Sequence, residues 1–167
     1  KLFLATGNDH KIKEVQEMLA NTDIKISSKY DFQSIPEVIE DADTFKGNAL
    51  KKARKLCNYT KLPTIADDSG LVVDALDGKP GVYSARFAGE EATDQENNNK
   101  LLKLLKESSD KNRDAHFTCA MVLVTPSGKE EVVIGTCQGK IALTPQGKAC
   151  FGYDPLFIPN NYQKSFA

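Results

Sequence analysis

The most restrictive feature of this 167-residue sequence is a change in its hydrophobic periodicity along the chain. Up to about residue 107, short strand-like apolar runs alternate with segments of helical period, and two strand-like runs then flank Pro126-Ser127-Gly128. Alternating strands and helices favour a sheet with helices packed on it, and a tight turn between two strands favours a β-hairpin. The sequence therefore predicts an α/β fold built on a mixed β-sheet with flanking helices.

The pattern also predicts where the elements lie. Asp67-Asp68-Ser69-Gly70 is predicted to be a turn between two strands, because Asp, Ser and Gly are common turn residues. Two polar or glycine- and proline-containing stretches, 34–43 and 77–90, are predicted to be loops. Strands are predicted at 2–5, 24–26, 63–66, 71–75, 117–124 and 131–137, and helices from residue 8 or 9, over 44–58 and over 94–107.

Composition excludes several classes of protein. Apolar residues make up 40% of the chain and charged residues 27%, which is typical of a globular protein. The formal net charge of −1 provides no basic field for a nucleic-acid backbone. No apolar run is long enough to cross a membrane. A single nucleotide needs only a few local cations and is compatible with this charge.

Cysteine and histidine usage limits the metal chemistry. The four cysteines form no Cys-x-x-Cys pair, which predicts free thiols and a reducing, cytoplasmic location. With only two histidines, any metal would be held by oxygen atoms, which indicates Mg²⁺ or Mn²⁺. These residues are Cys57, Cys119, Cys137, Cys150, His10 and His116.

The segment Thr6-Gly7-Asn8-Asp9-His10-Lys11 joins the first predicted strand to the first predicted helix. A helix N-terminus favours anions, and Gly7 lets the backbone approach a phosphate closely. Thr6 and Asn8 are potential hydrogen-bond donors, and Lys11 adds a cation. The segment is therefore a candidate phosphate site, and the alternative is an ordinary capped helix after a turn.

The second predicted helix carries two polar residues on its apolar stripe. At about 100° per residue, Asn48 and Lys52 fall on the stripe formed by Phe45, Ala49 and Leu56. A lysine on a buried face is costly unless it meets an anion, so this pair is a candidate for a phosphate or a metal-bound carboxylate. The alternative is a lysine that snorkels to solvent. Other basic residues fall elsewhere and indicate a solvated face: Lys51, Arg54 and Lys55.

Acidic residues supply the candidate catalytic groups. Asp67 and Asp68 end a predicted strand, where one could bind Mg²⁺ while either activates a water. One or two of the upstream carboxylates could complete an oxygen-ligand site with Asp68. The alternatives are a turn sequence and, for most of the upstream acids, a solvated loop. The upstream acids are Glu37, Glu40, Asp41 and Asp43.

Phe151-Gly152-Tyr153-Asp154-Pro155 is a candidate base-binding segment. An aromatic ring beside an accessible backbone suits stacking on a base. Asp154 could accept a hydrogen bond from the N1–H of a 6-oxopurine, which adenine lacks and guanine has. The alternative is an aromatic turn packed into the core.

Five ordered motifs together resemble the inosine triphosphate pyrophosphatase family, the non-standard purine nucleotide pyrophosphatases. The resemblance covers nearly the whole chain. The Ser84-Ala85-Arg86-Phe87 segment is similar to that of bacterial members. The motifs are Thr6-Gly7-Asn8 with Lys11 and Glu14; Thr44-Phe45, Asn48-Ala49 and Lys52-Ala53; Ala66-Asp67-Asp68-Ser69-Gly70-Leu71; Pro80-Gly81-Val82-Tyr83-Ser84-Ala85-Arg86-Phe87; and Phe151-Gly152-Tyr153-Asp154-Pro155.

The resemblance implies a cytoplasmic, homodimeric Mg²⁺ enzyme that converts ITP, dITP and XTP to monophosphate and pyrophosphate and so cleanses the nucleotide pool. It implies two lobes around a central substrate cleft. Asp68 matches the family's general base and, with Glu40, its metal ligands. Substrate contacts are implied for Thr6 to Lys11, Lys52, Ser69, and the base-binding Phe151, Gly152, Tyr153 and Asp154.

The sequence departs from the family pattern at two places. Gly147-Lys148-Ala149-Cys150 replaces a glycine-rich approach to the last motif. We expect a single domain over residues 1–167 that lacks the family's C-terminal helix, with its Lys and Ser-His-Arg segment. Three alternatives stay open: a septum-inhibitor-like pyrophosphatase acting on pyrimidine or modified nucleotides, a nucleotide-binding sensor without turnover, and a protein–protein interaction domain.

Overall fold

The computed structural model describes residues 1–147 and 151–167, with the backbone alone at residue 10. Its regular elements alternate between strand and helix up to residue 107, and strands follow. No helix of the described residues is long and apolar enough to span a membrane. The elements are β1 (Leu2–Ala5), α1 (Asp9–Met18), β2 (Ile26–Ser27), α2 (Phe45–Thr60), β3 (Thr64–Val73), α3 (Asp94–Glu107), β4 (Asp114–Val124), β5 (Glu130–Ile141) and β6 (Phe157–Pro159).

The strands form a six-stranded mixed sheet in the order β2-β1-β3-β4-β5-β6. β1 is parallel to both of its neighbours, and Ala5 pairs with Ala66 of β3. β5 and β6 are antiparallel, with Gly139 opposite Pro159. A tight connection joins the adjacent strands β4 and β5, closed by a bond of 2.9 Å from the Thr125 N–H to the Lys129 carbonyl. The predicted mixed sheet and hairpin are therefore confirmed.

The chain divides into two compact units, each with its own core. The first unit contains residues 1–68 and 120–134, and the second contains 69–119 and 135–167. In the first, the apolar side of α2 packs into a cluster with β1, β3 and β4. In the second, α3 contributes to a cluster with β3, β5 and β6. Their most buried members are Phe3, Ala49, Ala53, Ala66 and Val122 in the first, and Leu71, Leu101, Leu156 and Phe157 in the second.

Most predicted elements are present, but the predicted turn at 67–70 is wrong. β3 runs without interruption from Thr64 to Val73. The ladder with β1 and the burial of Ala66 and Leu71 outweigh the local turn preference of Asp, Ser and Gly. Two smaller differences concern element bounds. The strand predicted at 24–26 is β2 at Ile26–Ser27, and the predicted loop 77–90 contains a 3₁₀ helix at Gly81–Arg86.

Candidate active site

The loop between β1 and α1 is organised by its own side chains. The Asn8 N–H donates to Thr6 Oγ1 at 3.1 Å, and the Lys11 N–H donates to Asn8 Oδ1 at 3.4 Å. The second bond is that of an N-capping residue, so Asn8 is the cap of the helix predicted from residue 8 or 9. Gly7 and Asp9 are exposed, while Thr6 and Asn8 are half-buried. The loop thus presents a helix N-terminus beside exposed backbone, which favours an anion.

Two lysines contact this segment, and the sequence pointed to only one of them. Lys11 forms an ion pair with the Asp67 carboxylate of β3. Lys29, from the 3₁₀ helix Lys29–Asp31, donates from Nζ to the Gly7 carbonyl at 2.9 Å and lies 3.6 Å from the Asp9 carboxylate. Sequence reasoning missed Lys29, since a contact across 22 residues leaves no periodic signal.

Helix α2 places Asn48 and Lys52 on its buried side, as predicted. Thr44 caps the helix by accepting the Gly47 N–H at 3.0 Å. Asn48 is 1% exposed and is held by the Ala42 N–H, which donates to its Oδ1 at 2.8 Å. Its Nδ2 donates to Asp68 Oδ2 at 3.0 Å. The amide therefore connects α2 to a carboxylate of β3.

Lys52 meets two oxygen atoms one helical turn further on. Its Nζ lies 2.8 Å from Glu40 Oε1 and donates to the Asp67 carbonyl at 2.9 Å. Its side chain is only 16% exposed, so the ammonium does not reach out to bulk solvent as a snorkelling lysine would. The contacts of Lys52 and Asn48 bring Glu40, Asp67 and Asp68 to one side of α2.

The remaining basic residues of α2 lie on its exposed side, as predicted. Lys51 pairs with Asp41, and this ion pair lowers the pKa of the Asp41 carboxyl. Arg54 binds both carboxylate oxygens of Glu130, at 2.6 and 2.7 Å. The acidic run before α2 is thereby divided, since Glu40 contacts the buried lysine while Asp41 pairs at the surface.

The donor set of this cluster fits Mg²⁺. Within residues 1–147 and 151–167 no group of three or more His, Cys, Asp and Glu side chains could hold a metal ion. Mg²⁺ in nucleotide enzymes needs no such cage, because it takes one or two carboxylates and completes its shell with water and substrate phosphates. Glu40 and Asp68 are hard oxygen donors of this kind, each held by a side chain of α2.

The second unit contains a pocket of about 460 Å³. Phe117 and Phe166 stack beside it with ring centroids 6.1 Å apart and planes at 24°. Burial, and then the charge of Asp94, raises the pKa of the Asp154 carboxyl. Sequence reasoning missed both phenylalanines. Strand periodicity at Phe117 does not show which face lines a pocket, and Phe166 lies outside the strands and carries no periodic signal. The lining residues are Ser69, Phe117, Thr118, Cys119, Gly135, Thr136, Cys137, Asp154 and Phe166.

The four candidate base-binding residues have different surroundings. Phe151 is 61% exposed, and Asp154 lines the pocket. Tyr153 is buried in the core cluster of the second unit, and its hydroxyl donates to the Ser84 carbonyl at 2.9 Å. Burial raises the pKa of Tyr153 above its usual value. Tyr153 thus follows the packing alternative, whereas its neighbour Asp154 lines the pocket. The departure at 147–150 lies largely outside the described residues.

Comparison with known proteins adds an independent observation. The model of the Ham1 family matches residues 2–167. The chain belongs to the Ham1 family. A relative named dITP/XTP pyrophosphatase from Geobacter sulfurreducens is 50% identical over 95% of this chain and 79% of its own. A relative of the same name from Desulfotalea psychrophila is 49% identical over 99% of this chain and 74% of its own. The resemblance predicted from the five motifs is confirmed.

Two solved structures of similar proteins share the fold. A HAM1 protein from Coxiella burnetii superposes with a TM-score of 0.94 at 39% identity, covering 99% of this chain and 85% of that one. A nucleoside-triphosphatase / dITP/XTP pyrophosphatase from Mycobacterium abscessus gives 0.87 at 41% identity, covering 99% and 86%. The predicted α/β fold is therefore confirmed.

Proposed function

We propose that this Ham1 family protein hydrolyses non-standard purine nucleoside triphosphates (ITP, dITP and XTP) to the monophosphate and pyrophosphate, and so removes them from the nucleotide pool. The observation that carries the proposal is the cluster in the first unit, where Asn48 and Lys52 of α2 meet Glu40, Asp67 and Asp68. The names of the relatives support the substrate class.

Lysines and backbone donors of the first unit would bind the triphosphate. Lys11 contacts the Asp67 carboxylate and Lys52 contacts the Glu40 carboxylate in the absence of substrate. The exposed N-terminus of α1, with Thr6, Gly7 and Asn8, adds oriented dipoles. Such preorganised charges stabilise the negative charge that develops during phosphoryl transfer.

Glu40 and Asp68 are the residues that would hold Mg²⁺, with Mn²⁺ as an alternative. A bound divalent ion would neutralise charge on the triphosphate oxygens. Asn48 keeps the Asp68 carboxylate in place through the bond to Oδ2, and Lys52 does the same for Glu40. These two α2 side chains would therefore set the geometry of the ligands.

Asp68 is the carboxylate assigned to orient or deprotonate the attacking water. The Asp67 carboxylate forms an ion pair with the Lys11 ammonium. Its proposed role is therefore to position that cation and to assist Asp68. The water attacks the α-phosphorus and its proton passes to the carboxylate. The bond from that phosphorus to the oxygen bridging the α- and β-phosphates breaks, and pyrophosphate leaves with that oxygen. General-base help of this kind is worth roughly 10²–10⁴-fold in rate.

The pocket of the second unit would take the base. Phe117 and Phe166 offer aromatic faces, and Asp154 offers an acceptor for the N1–H of a 6-oxopurine. Adenine lacks that proton, so an unpaired carboxylate would disfavour ATP. Guanine carries the same proton, so discrimination against GTP needs another contact.

The test is pyrophosphate release from ITP, dITP, XTP, GTP, ATP and UTP, with and without Mg²⁺. We expect Mg²⁺-dependent release from the first three, little from ATP, and a loss of at least about 10²-fold in kcat for Asp68→Asn. Preferential turnover of UTP would favour the septum-inhibitor-like alternative. Binding of ITP with no release from any nucleotide would favour the sensor. Full turnover by Asp68→Asn at neutral pH would overturn the role of Asp68.

Two further parts of the proposal follow from the family resemblance, a homodimer and a cytoplasmic location with the nucleotide pool. Light scattering coupled to gel filtration would give the mass of the particle, which we expect to be twice that of the chain. Subcellular fractionation of the source cells with an antibody would test the location.

A further inference from the structure

One residue of the base-binding segment is held by a helix on both sides of its backbone. The Gly152 N–H donates to Asp94 Oδ2 at 2.7 Å, and the Gly152 carbonyl accepts from Asn98 Nδ2 at 2.9 Å. Asp94 and Asn98 are four residues apart on α3, so their side chains lie on the same face. Both polar groups of Gly152 are therefore bonded to a single rigid element.

We call Asp94 and Asn98, with their two bonds to the Gly152 peptide groups, the clamp. Its helix side is itself fixed. Thr93 caps α3, and its side chain and that of Glu96 bond reciprocally to backbone N–H groups in a capping box. Asn98 is 7% exposed, and its Oδ1 has no hydrogen-bond partner among the described residues. The bond from Asn98 Nδ2 to the Gly152 carbonyl is therefore the contact that orients this amide, because losing it would leave a second buried polar atom without a partner.

The loop side is fixed by its backbone turn and by a second contact. Gly152 has φ +53°, in the left-handed region, and lies two residues before Asp154. Tyr153 forms a second anchor through the Ser84 carbonyl, and Ser84 Oγ accepts the Leu71 N–H at 2.9 Å. These contacts fix the chain immediately before the carboxylate that lines the pocket. The charge of Asp94 also acts on Asp154, since it raises the pKa of that carboxyl.

We propose that Asp94 and Asn98 are positioning residues for base recognition, which fix the Gly152 peptide and so determine where Asp154 meets the base. The inference rests on the proposed function, because it assigns these residues to the purine-binding step. Neither side chain is placed in the triphosphate cluster. Their loss should therefore weaken recognition of the base and leave the triphosphate contacts intact.

The experiment uses four substitutions at three positions near the N-terminus of α3 in the full chain. Asp94→Ala removes the acceptor for the Gly152 N–H, whereas Asp94→Asn keeps an acceptor oxygen. Glu96→Gln is the matched control, since it removes a charge from the same turn, keeps the capping acceptor and does not contact Gly152. Asn98→Ala removes the other half of the clamp.

We expect Asp94→Ala and Asn98→Ala to raise KM for ITP about ten-fold and to change kcat less than about two-fold, the effect of losing one hydrogen bond at the binding step. Inhibition by tripolyphosphate, which has no base, should be unchanged. Asp94→Asn should restore most of the affinity, and Glu96→Gln should behave as the unsubstituted protein. An unchanged KM in both alanine variants would overturn the inference, as would an equal weakening of tripolyphosphate binding.

Failure of the proposed function can be told apart from failure of this inference. ITP binding is measured by calorimetry in EDTA, and the amide signal of Gly152 is followed by NMR in the same samples. An inactive protein that binds ITP about ten-fold more weakly after Asp94→Ala would refute the hydrolase and support the clamp. Equal ITP affinity of the unsubstituted protein and Asp94→Ala, or no ITP binding by either, would overturn the inference about Asp94 and Asn98.

Discussion

The cations of the candidate triphosphate site are compensated by carboxylates while the site is free of substrate. Lys11 pairs with Asp67, and the largely buried Lys52 pairs with Glu40. A buried ammonium without such a partner would be strongly destabilising. Glu40 is also a proposed metal ligand, and Asp67 is proposed to assist the water-activating Asp68. A bound metal and triphosphate would therefore take over contacts that Lys11 and Lys52 make with these carboxylates. Stability and binding thus use the same charges.

Lys52→Met tests this arrangement, with Lys55→Met as its matched control on the same helix. Lys52 contacts Glu40 and the Asp67 carbonyl, whereas Lys55 is exposed and donates to the Glu37 carbonyl. We expect Lys52→Met to lower kcat/KM for ITP by roughly 10²-fold or more, as for loss of a preorganised charge. Lys55→Met should stay within about two-fold, because surface charge contacts are worth little. Steady-state assays at fixed Mg²⁺ measure kcat/KM for both variants. Equal losses in the two would contradict the assignment of Lys52 to the triphosphate site.

At the scale of elements, β3 determines which helix each aspartate serves. Because the strand continues through Asp67 and Asp68, neighbouring side chains leave it in different directions. Asp67 contacts Lys11 of α1, and Asp68 contacts Asn48 of α2. A turn at this point would have left their directions undefined. The strand thus gives two adjacent carboxylates different partners.

Two glycines of β5 provide a test of packing at the junction with β6. A Cβ at Gly139 would lie 2.6 Å from Phe157 Cζ and would also clash with the Ile158 carbonyl, whereas one at Gly135 meets nothing within 4 Å. We expect Gly139→Ala to lower the free energy of unfolding by about 1–3 kcal/mol, the usual cost of overpacking. Gly135→Ala should change it by less than about 1 kcal/mol. Urea unfolding measures both, and a neutral Gly139→Ala would refute the close β5–β6 contact.

At the scale of the whole molecule, Asp154 links pH to stability. Burial and the charge of Asp94 raise its pKa in the folded state above the value of 3.8 for the unfolded chain. The folded state therefore favours the protonated carboxyl. Its stabilising effect is fully present below pH 3.8 and is lost as pH rises through the folded pKa. At neutral pH the ionised carboxylate is then a cost to the fold.

Asp154→Asn should therefore raise the stability of the protein at pH 7, and the gain should disappear towards pH 3. Asp41→Asn is the control of opposite sign, because Lys51 lowers the pKa of Asp41 and its ionised form stabilises the fold above pH 3.8. Thermal unfolding of the three proteins across this range measures the difference. A stability loss for Asp154→Asn that is the same at every pH would show that the carboxylate is not under electrostatic stress.

The sequence by itself determined the order of the elements and the main candidate residues. Alternating periods predicted β1 and α3 with their observed bounds, and the helical phase of α2 predicted that Asn48 and Lys52 face inward. These features depend on neighbours within a few residues along the chain, and the physical rules for such neighbours are periodic. The five motifs predicted the family for the same reason, because each is a short local pattern.

Only the tertiary structure decided what these residues contact. Lys29 at Gly7, Glu40 at Lys52, and Asp94 with Asn98 at Gly152 are joined across 12 to 58 residues of sequence. The course of β3 was also decided by tertiary structure, because its pairing with β1 outweighs the turn preference of Asp67, Asp68, Ser69 and Gly70. The physical reason is that buried polar groups must find partners wherever the folded chain brings them, and local sequence carries no record of that distance.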